Sequence, residues 1–210
     1  WFEAVPSKEL NSDDHENGTT HWYYANSKGE ITIPTADGEV GVVKTIDGKS
    51  YLFNSDGEMV TGLRILTYDG SKITNISSEV DTADTVKNMN SDTMKLVYFE
   101  SNGAAKTGTT TITLDGTSYT FSFKSNGSPR GVGETGISDG YIYQNGLRLT
   151  ADEDTKYGVV TYKNESYVVN EKGSIQKNKK NLKDADETYY CTNAKGILLH
   201  SSTEKCTTKH

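Results

Sequence analysis

No run of 18 apolar residues occurs in this 210-residue chain, which excludes a membrane-spanning helix, and no signal peptide is visible. Histidine is scarce: His15, His21, His200 and His210 are scattered or terminal, and no Ser or Cys stands in a nucleophile-elbow context. Acids are plentiful but dispersed. Asp13-Asp14 and Asp152-Glu153-Asp154 sit in polar loops rather than as opposed carboxyls of a glycosidase cleft. Cysteine is limited to Cys191 and Cys206, which without a His or further Cys partner do not form a zinc site. The pair either closes the last hairpin as a disulfide, contributing about 3 kcal/mol on a chain-entropy account, or stays as two thiols. A concentrated basic surface is also missing. The net charge of −7 and the pI near 5.1 argue against a nucleic-acid partner. Gly131 to Gly136 matches G-x-G-x-x-G, yet lacks the preceding strand and following helix, and Glu134 would repel a phosphate. Neither a cofactor nor a metal is called for, and the chain is read as non-catalytic.

Large aliphatic content is lacking as well. With 33% hydrophobic residues and a mean hydropathy of −0.67, small local cores are easier to build than one central core. What the chain has instead is twenty Gly and thirteen Tyr, against five Phe and two Trp. Tyr51 to Gly62 reads Tyr-Leu-Phe-Asn-Ser-Asp-Gly-Glu-Met-Val-Thr-Gly: an alternating apolar run, a polar turn, a glycine, then a second short run. That is a β-hairpin pattern. Degenerate copies are anchored at Gly29, Gly57, Gly103, Gly127, Gly146, Gly173 and Gly196. Units of this length cannot bury their own apolar face and must stack on their neighbours. Asp47-Gly48, Asp69-Gly70, Asp115-Gly116 and Asp139-Gly140 carry the dipeptide of type I′ turns. No long window has helical spacing. The fold class is all-β: tandem β-hairpins stacked as a solenoid-like array, in one or two lobes.

Two stretches break the pattern. Ser71 to Lys95 lacks the aromatic hairpin spacing, and either a short helix at Asp81 to Asn88 or a polar excursion fits it. The expected division is an N-terminal repeat lobe at 1–70, a connector or insertion at 71–95 and a C-terminal repeat lobe at 96–210. In Gln176 to Glu187, Lys177, Lys179, Lys180 and Lys183 are followed at once by Asp184, Asp186 and Glu187, the composition of a solvated edge. A chain opening on Trp1 reads as a mature product or an excised module of a larger protein.

Thr45 to Gly62 resembles the cell-wall-binding and glucan-binding, choline-binding-like repeat family of secreted Gram-positive surface proteins. Weaker copies run from Leu96 to Gly108, Leu114 to Gly133, Gly140 to Thr150, Tyr162 to Asn178 and Tyr189 to Leu199. The resemblance implies a non-catalytic, extracellular β-hairpin module that binds choline, glucans or other glycans. Choline sites in this family resemble boxes of two Trp and a Tyr. Here the position after the repeat glycine holds Leu63, Thr109 or Glu134, and the strand positions hold Tyr51, Val97 and Tyr119. A quaternary ammonium favours Trp most strongly. A neutral polysaccharide, an α-glucan such as starch or dextran, is therefore the expected partner. A cell-wall anchor for choline, teichoic acid or peptidoglycan is the alternative, followed by a protein-binding adhesin or a spacer. Trp22, Tyr24, Tyr51, Tyr98, Tyr141, Tyr143, Tyr162 and Tyr189 are the candidate sugar platforms, each of which also suits local hairpin packing.

Overall fold

The computed structural model describes residues 1–127 and 130–207, so His210 lies outside the described residues. The chain forms two compact units, Trp1–Gly133 and Glu134–His210.

In the first unit β1 (Phe2–Ala4) is followed by a six-residue helix α1 (Ser12–Asn17) and by β2 (His21–Tyr23), which pairs antiparallel with β1. The Asn11 side chain caps α1 by accepting from Asp14 N, and Gly18 at φ 67° ends it. Next come β3 (Gly41–Ile46), β4 (Lys49–Asn54), β5 (Gly62–Asp69), β6 (Lys72–Ile76), a second short helix α2 (Ala83–Asn88) and β7 (Met94–Phe99). These five strands make an antiparallel sheet in the order β4-β3-β6-β5-β7. β8 (Gly108–Leu114) and β9 (Thr117–Phe123) form a seven-pair hairpin. Residues 71–95 thus carry β6, α2 and the start of β7 inside this unit, with Val80, Ala83 and Val86 buried. Thr82 caps α2.

The second unit holds a meander of β10 (Gly136–Ser138), β11 (Tyr141–Gln144) and β12 (Leu147–Arg148), then a hairpin of β13 (Tyr157–Tyr162) and β14 (Glu165–Asn170). A three-stranded sheet of β15 (Leu182–Lys183), β16 (Tyr189–Thr192) and β17 (Leu198–Ser202) follows, and Cys191 is joined to Cys206 by a disulfide.

Turn chemistry explains these elements. Asp47-Gly48, Asp115-Gly116 and Asp139-Gly140 have positive φ at both central positions of two-residue hairpins, as type I′ requires. Asn145-Gly146 and Lys163-Asn164 do the same. Asp69-Gly70 does not: Asp69 stays in β5 paired with Lys72, so the central residues are Gly70 and Ser71, and only Gly70 adopts positive φ.

A second device recurs after the hairpins. At Asn54 the side-chain oxygen accepts from Asp56 N and Glu58 N, while Gly57 N donates to Asn54 O. The same set appears at Asn26 with Lys28, Glu30 and Gly29, at Asn170 with Lys172, Ser174 and Gly173, and at Asn193 with Lys195, Ile197 and Gly196. Asn is favoured because its amide oxygen satisfies two backbone donors that the tight turn strips from the ladder. The turn then returns one residue to the preceding strand, as in the bridges Phe53 with Met59 and Val169 with Ile175. That residue touches the next repeat's glycine. A Cβ on Gly103 would overlap the Met59 side chain, and one on Gly196 would overlap Ile175. The glycines therefore serve both the positive φ and the stacking of one repeat on the next.

The cores are correspondingly local. Leu52, Leu66, Ile73, Val97 and Phe99 form one cluster in the first unit, and Ile142, Ala151, Tyr167, Val169 and Ile175 form one in the second.

Candidate functional site

Strand alternation decides which aromatic rings stay accessible. In β2, Tyr23 is buried and Trp22 is 45% exposed. In β4, Leu52 and Phe53 are buried while Tyr51 is half-buried. Tyr24, Tyr98, Tyr141, Tyr162 and Tyr189 are also half-buried, whereas Tyr143 is only 4% exposed.

The first unit brings Tyr24 and Tyr51 together around a ring that the sequence did not single out. Trp1 meets Tyr24 edge-on with centroids 5.1 Å apart and Tyr51 at 4.8 Å, with Phe53 beneath at 5.8 Å. Lys44, paired with Tyr51 across β3 and β4, stands over the Tyr24 ring at 5.1 Å. Trp22 is not part of this group. Tyr98 lies in a different place, in an open cleft of about 780 Å³ lined also by Leu63, Glu79, Thr111 and Asp115. A second cleft of about 800 Å³, lined by Val42, Tyr68, Lys95, Lys124 and Arg130 among others, had no signature in the sequence, because its walls come from strands far apart in the chain.

In the second unit the Arg148 guanidinium carbon lies 3.8 Å over the Tyr141 ring and 5.5 Å from that of Tyr143, and Arg148 Nη2 donates to the Tyr143 hydroxyl at 2.9 Å. Arg148 faces Tyr143 directly in the β11–β12 register. Tyr162 packs on the Ile142–Val169 core with Lys163 Nζ 5.4 Å from its ring. Tyr189 has Lys183 and Lys205 at 5.7 and 5.8 Å. A hydrogen bond to Glu187 holds the Lys183 ammonium above the usual lysine range. Beside it, burial foremost and then the hydrogen bond to Asp184 push the Tyr190 hydroxyl up to about 12.

Tyr24, Tyr141, Tyr162 and Tyr189 share one arrangement: a tyrosine ring with a chain Lys or Arg already against it. The cation–π attraction of the ring is thereby engaged from within. What remains free is an aromatic edge or face flanked by N–H donors, which suits a pyranose ring with its hydroxyls. Trp1, Lys44 and Arg148 were not identified from sequence. Only Arg148 had a legible signal there, since an Asn-Gly turn places it across from Tyr143.

No protein-family model matches the chain, and no curated protein does. Solved structures do. Choline binding protein F from Streptococcus pneumoniae is 21% identical, with 86% of this chain and 44% of that chain covered and a TM-score of 0.49. CbpF in complex with ipratropium gives 20% identity, 88% and 44% coverage and a TM-score of 0.50. CbpJ from Streptococcus pneumoniae TIGR4 gives 19% identity, 87% and 63% coverage and a TM-score of 0.48. The chain thus spans less than half the length of choline binding protein F. At the level of fold the resemblance read from the repeats holds: this is a β-hairpin-repeat chain built like the choline-binding repeat proteins.

Proposed function

We propose that the chain is a non-catalytic binding module of an extracellular, surface-associated protein, and that it holds a neutral polysaccharide of the α-glucan class on its tyrosine platforms. One observation carries this reading: Tyr24, Tyr141, Tyr162 and Tyr189 each have a lysine or arginine of the chain within 3.8–5.8 Å of the ring. A second cation brought to such a ring meets a like charge, whereas an uncharged sugar gains stacking and hydrogen bonds from the same pair. The Cys191–Cys206 disulfide suits an oxidising compartment. Among the described residues no helix is long and apolar enough to cross a membrane.

A choline-bearing cell wall is the second reading. It is favoured by the fold and by the Trp1–Tyr24–Tyr51 group, a three-ring arrangement. The two readings separate in a pull-down of the purified chain on insoluble starch, dextran gel and choline-substituted resin, with maltooligosaccharide and free choline as competitors. Retention on a glucan, competed by oligosaccharide, is expected. Retention on choline resin alone overturns the glucan reading. Retention on none of the three moves the chain to the spacer or adhesin class.

A further inference from the structure

The N-terminal segment carries a polar cluster that the platforms do not use. His21 Nε2 lies 2.9 Å from Asp14 Oδ2 and 3.6 Å from Glu58 Oε1, and all three atoms fall within 4.8 Å of one another. Ligand atoms bound at roughly 2.0–2.2 Å to one tetrahedral ion stand roughly 3.3–3.6 Å apart; the His21–Glu58 side already has that length, and the Asp14–His21 side, now a 2.9 Å hydrogen bond, would open by about half an ångström as the ion replaces it. The residues are fixed independently of one another. Asp14 comes from α1, His21 from β2, and Glu58 from the Asn54–Glu58 turn after β4.

The outer contacts are those of oriented ligands. Asn11 Nδ2 donates to Asp14 Oδ2 at 2.7 Å, and Asn54 Nδ2 donates to the other Glu58 oxygen, Oε2, at 2.8 Å. Glu58 Oε1 is different. Its residue is only 8% exposed, and that oxygen is buried with no hydrogen-bond partner among the described residues, aimed at His21. The Tyr23 hydroxyl, on the same face of β2 as His21, is likewise buried without a hydrogen-bond partner among the described residues. A buried carboxylate oxygen left unsatisfied is costly unless something positive completes it.

We propose that Asp14, His21 and Glu58 form a site for a divalent ion of the zinc class. One imidazole nitrogen and two carboxylate oxygens match zinc, whereas calcium takes oxygen ligands only. Three protein ligands leave a position for water, and Asp14 and His21 are open enough to admit the ion, with side-chain exposures of 29% and 26%. Bound there, the ion ties α1 and β2 to the β4 turn and steadies the strand that carries Trp22 and leads into Tyr24.

The test is a calorimetric titration of zinc chloride into the full chain after EDTA treatment and dialysis, paired with thermal unfolding and with the visible spectrum of added cobalt(II). Expected results are one-to-one zinc binding, a rise in Tm with zinc but not with equal calcium, and tetrahedral cobalt bands that zinc abolishes. His21→Gln and Glu58→Gln should each weaken zinc binding about tenfold or more. Zinc binding that neither variant alters would place the ion elsewhere and overturn the site. So would the absence of heat, Tm shift and cobalt bands in the unaltered chain, which would leave His21 as a plain partner of the two acids.

Discussion

Tyr68 and Tyr190 have hydroxyls pushed up to about 12 for different reasons, and the difference can be measured. Burial alone raises Tyr68, whose hydroxyl is buried without a hydrogen-bond partner among the described residues, while Tyr190 combines burial with a 2.7 Å bond donated to Asp184. In both, the folded chain holds its proton above the unfolded value of 10. Their contribution is fully present below pH 10 and is lost as pH rises toward 12. Urea unfolding followed between pH 8 and 11.5 should therefore show stability falling in the upper part of that range. Tyr68→Phe should flatten the fall and leave stability near pH 7 unchanged or slightly higher, since no bond is lost. Tyr190→Phe should also flatten it, but should cost about 1–3 kcal/mol at neutral pH by stranding a buried Asp184 oxygen. Equal costs for the two variants at pH 7 would contradict this division.

Within the repeat, the anchor glycine that packs against the neighbouring repeat matters more than the glycine of the hairpin tip. Gly116 has φ 75° with nothing within 4 Å of an added Cβ, whereas Gly103 has φ 79° and faces Met59. Gly116→Ala should cost about 1 kcal/mol, the strain of the left-handed region alone. Gly103→Ala should cost about 2–4 kcal/mol, because Met59 must also be displaced from a packed contact. Urea midpoints for the two variants give the comparison, and similar values would mean that the contact between repeats adds nothing. This asymmetry also marks how far the sequence could be read. Aspartate-glycine turns, anchor glycines and the all-β class follow from local chemistry, and Asp115-Gly116 adopts the expected turn. The Asn54-type cap was equally local, in the spacing Asn-x-x-Gly. The pairing of β3 with β6 and the meeting of Trp1 with Tyr51 join positions far apart in the chain, and no local pattern encodes them. Tyr143 shows the same limit: alternation puts it on one face with Tyr141, but only the packing of the meander decides that it is 4% exposed while Tyr141 remains half-buried.

Charge and aromatics are distributed unequally over the whole molecule. The second unit carries eleven Lys and Arg against eleven Asp and Glu, so the net −7 falls entirely in residues 1–133. Tyrosine platforms with attached cations nevertheless occur in both units, at Tyr24 in the first and at Tyr141, Tyr162 and Tyr189 in the second. On the proposed reading each platform is a weak site. Joining weak sites on one chain raises retention on a long polymer through effective concentration, by about a hundredfold or more, without strengthening the hold on a short sugar. Removing Tyr24 and Tyr51 together should then leave the second unit's platforms to bind alone. Removing Tyr141 and Tyr189 leaves the first unit's platform and Tyr162. Each double alanine variant is expected to lose roughly ten- to a hundredfold in retention on insoluble glucan, while its affinity for a soluble trisaccharide falls by about twofold. Affinity electrophoresis in a glucan gel, set beside titration calorimetry with the trisaccharide, reads both quantities on the same proteins. Parallel losses on polymer and trisaccharide would mean a single dominant site. A loss confined to one double variant would place that site in its unit.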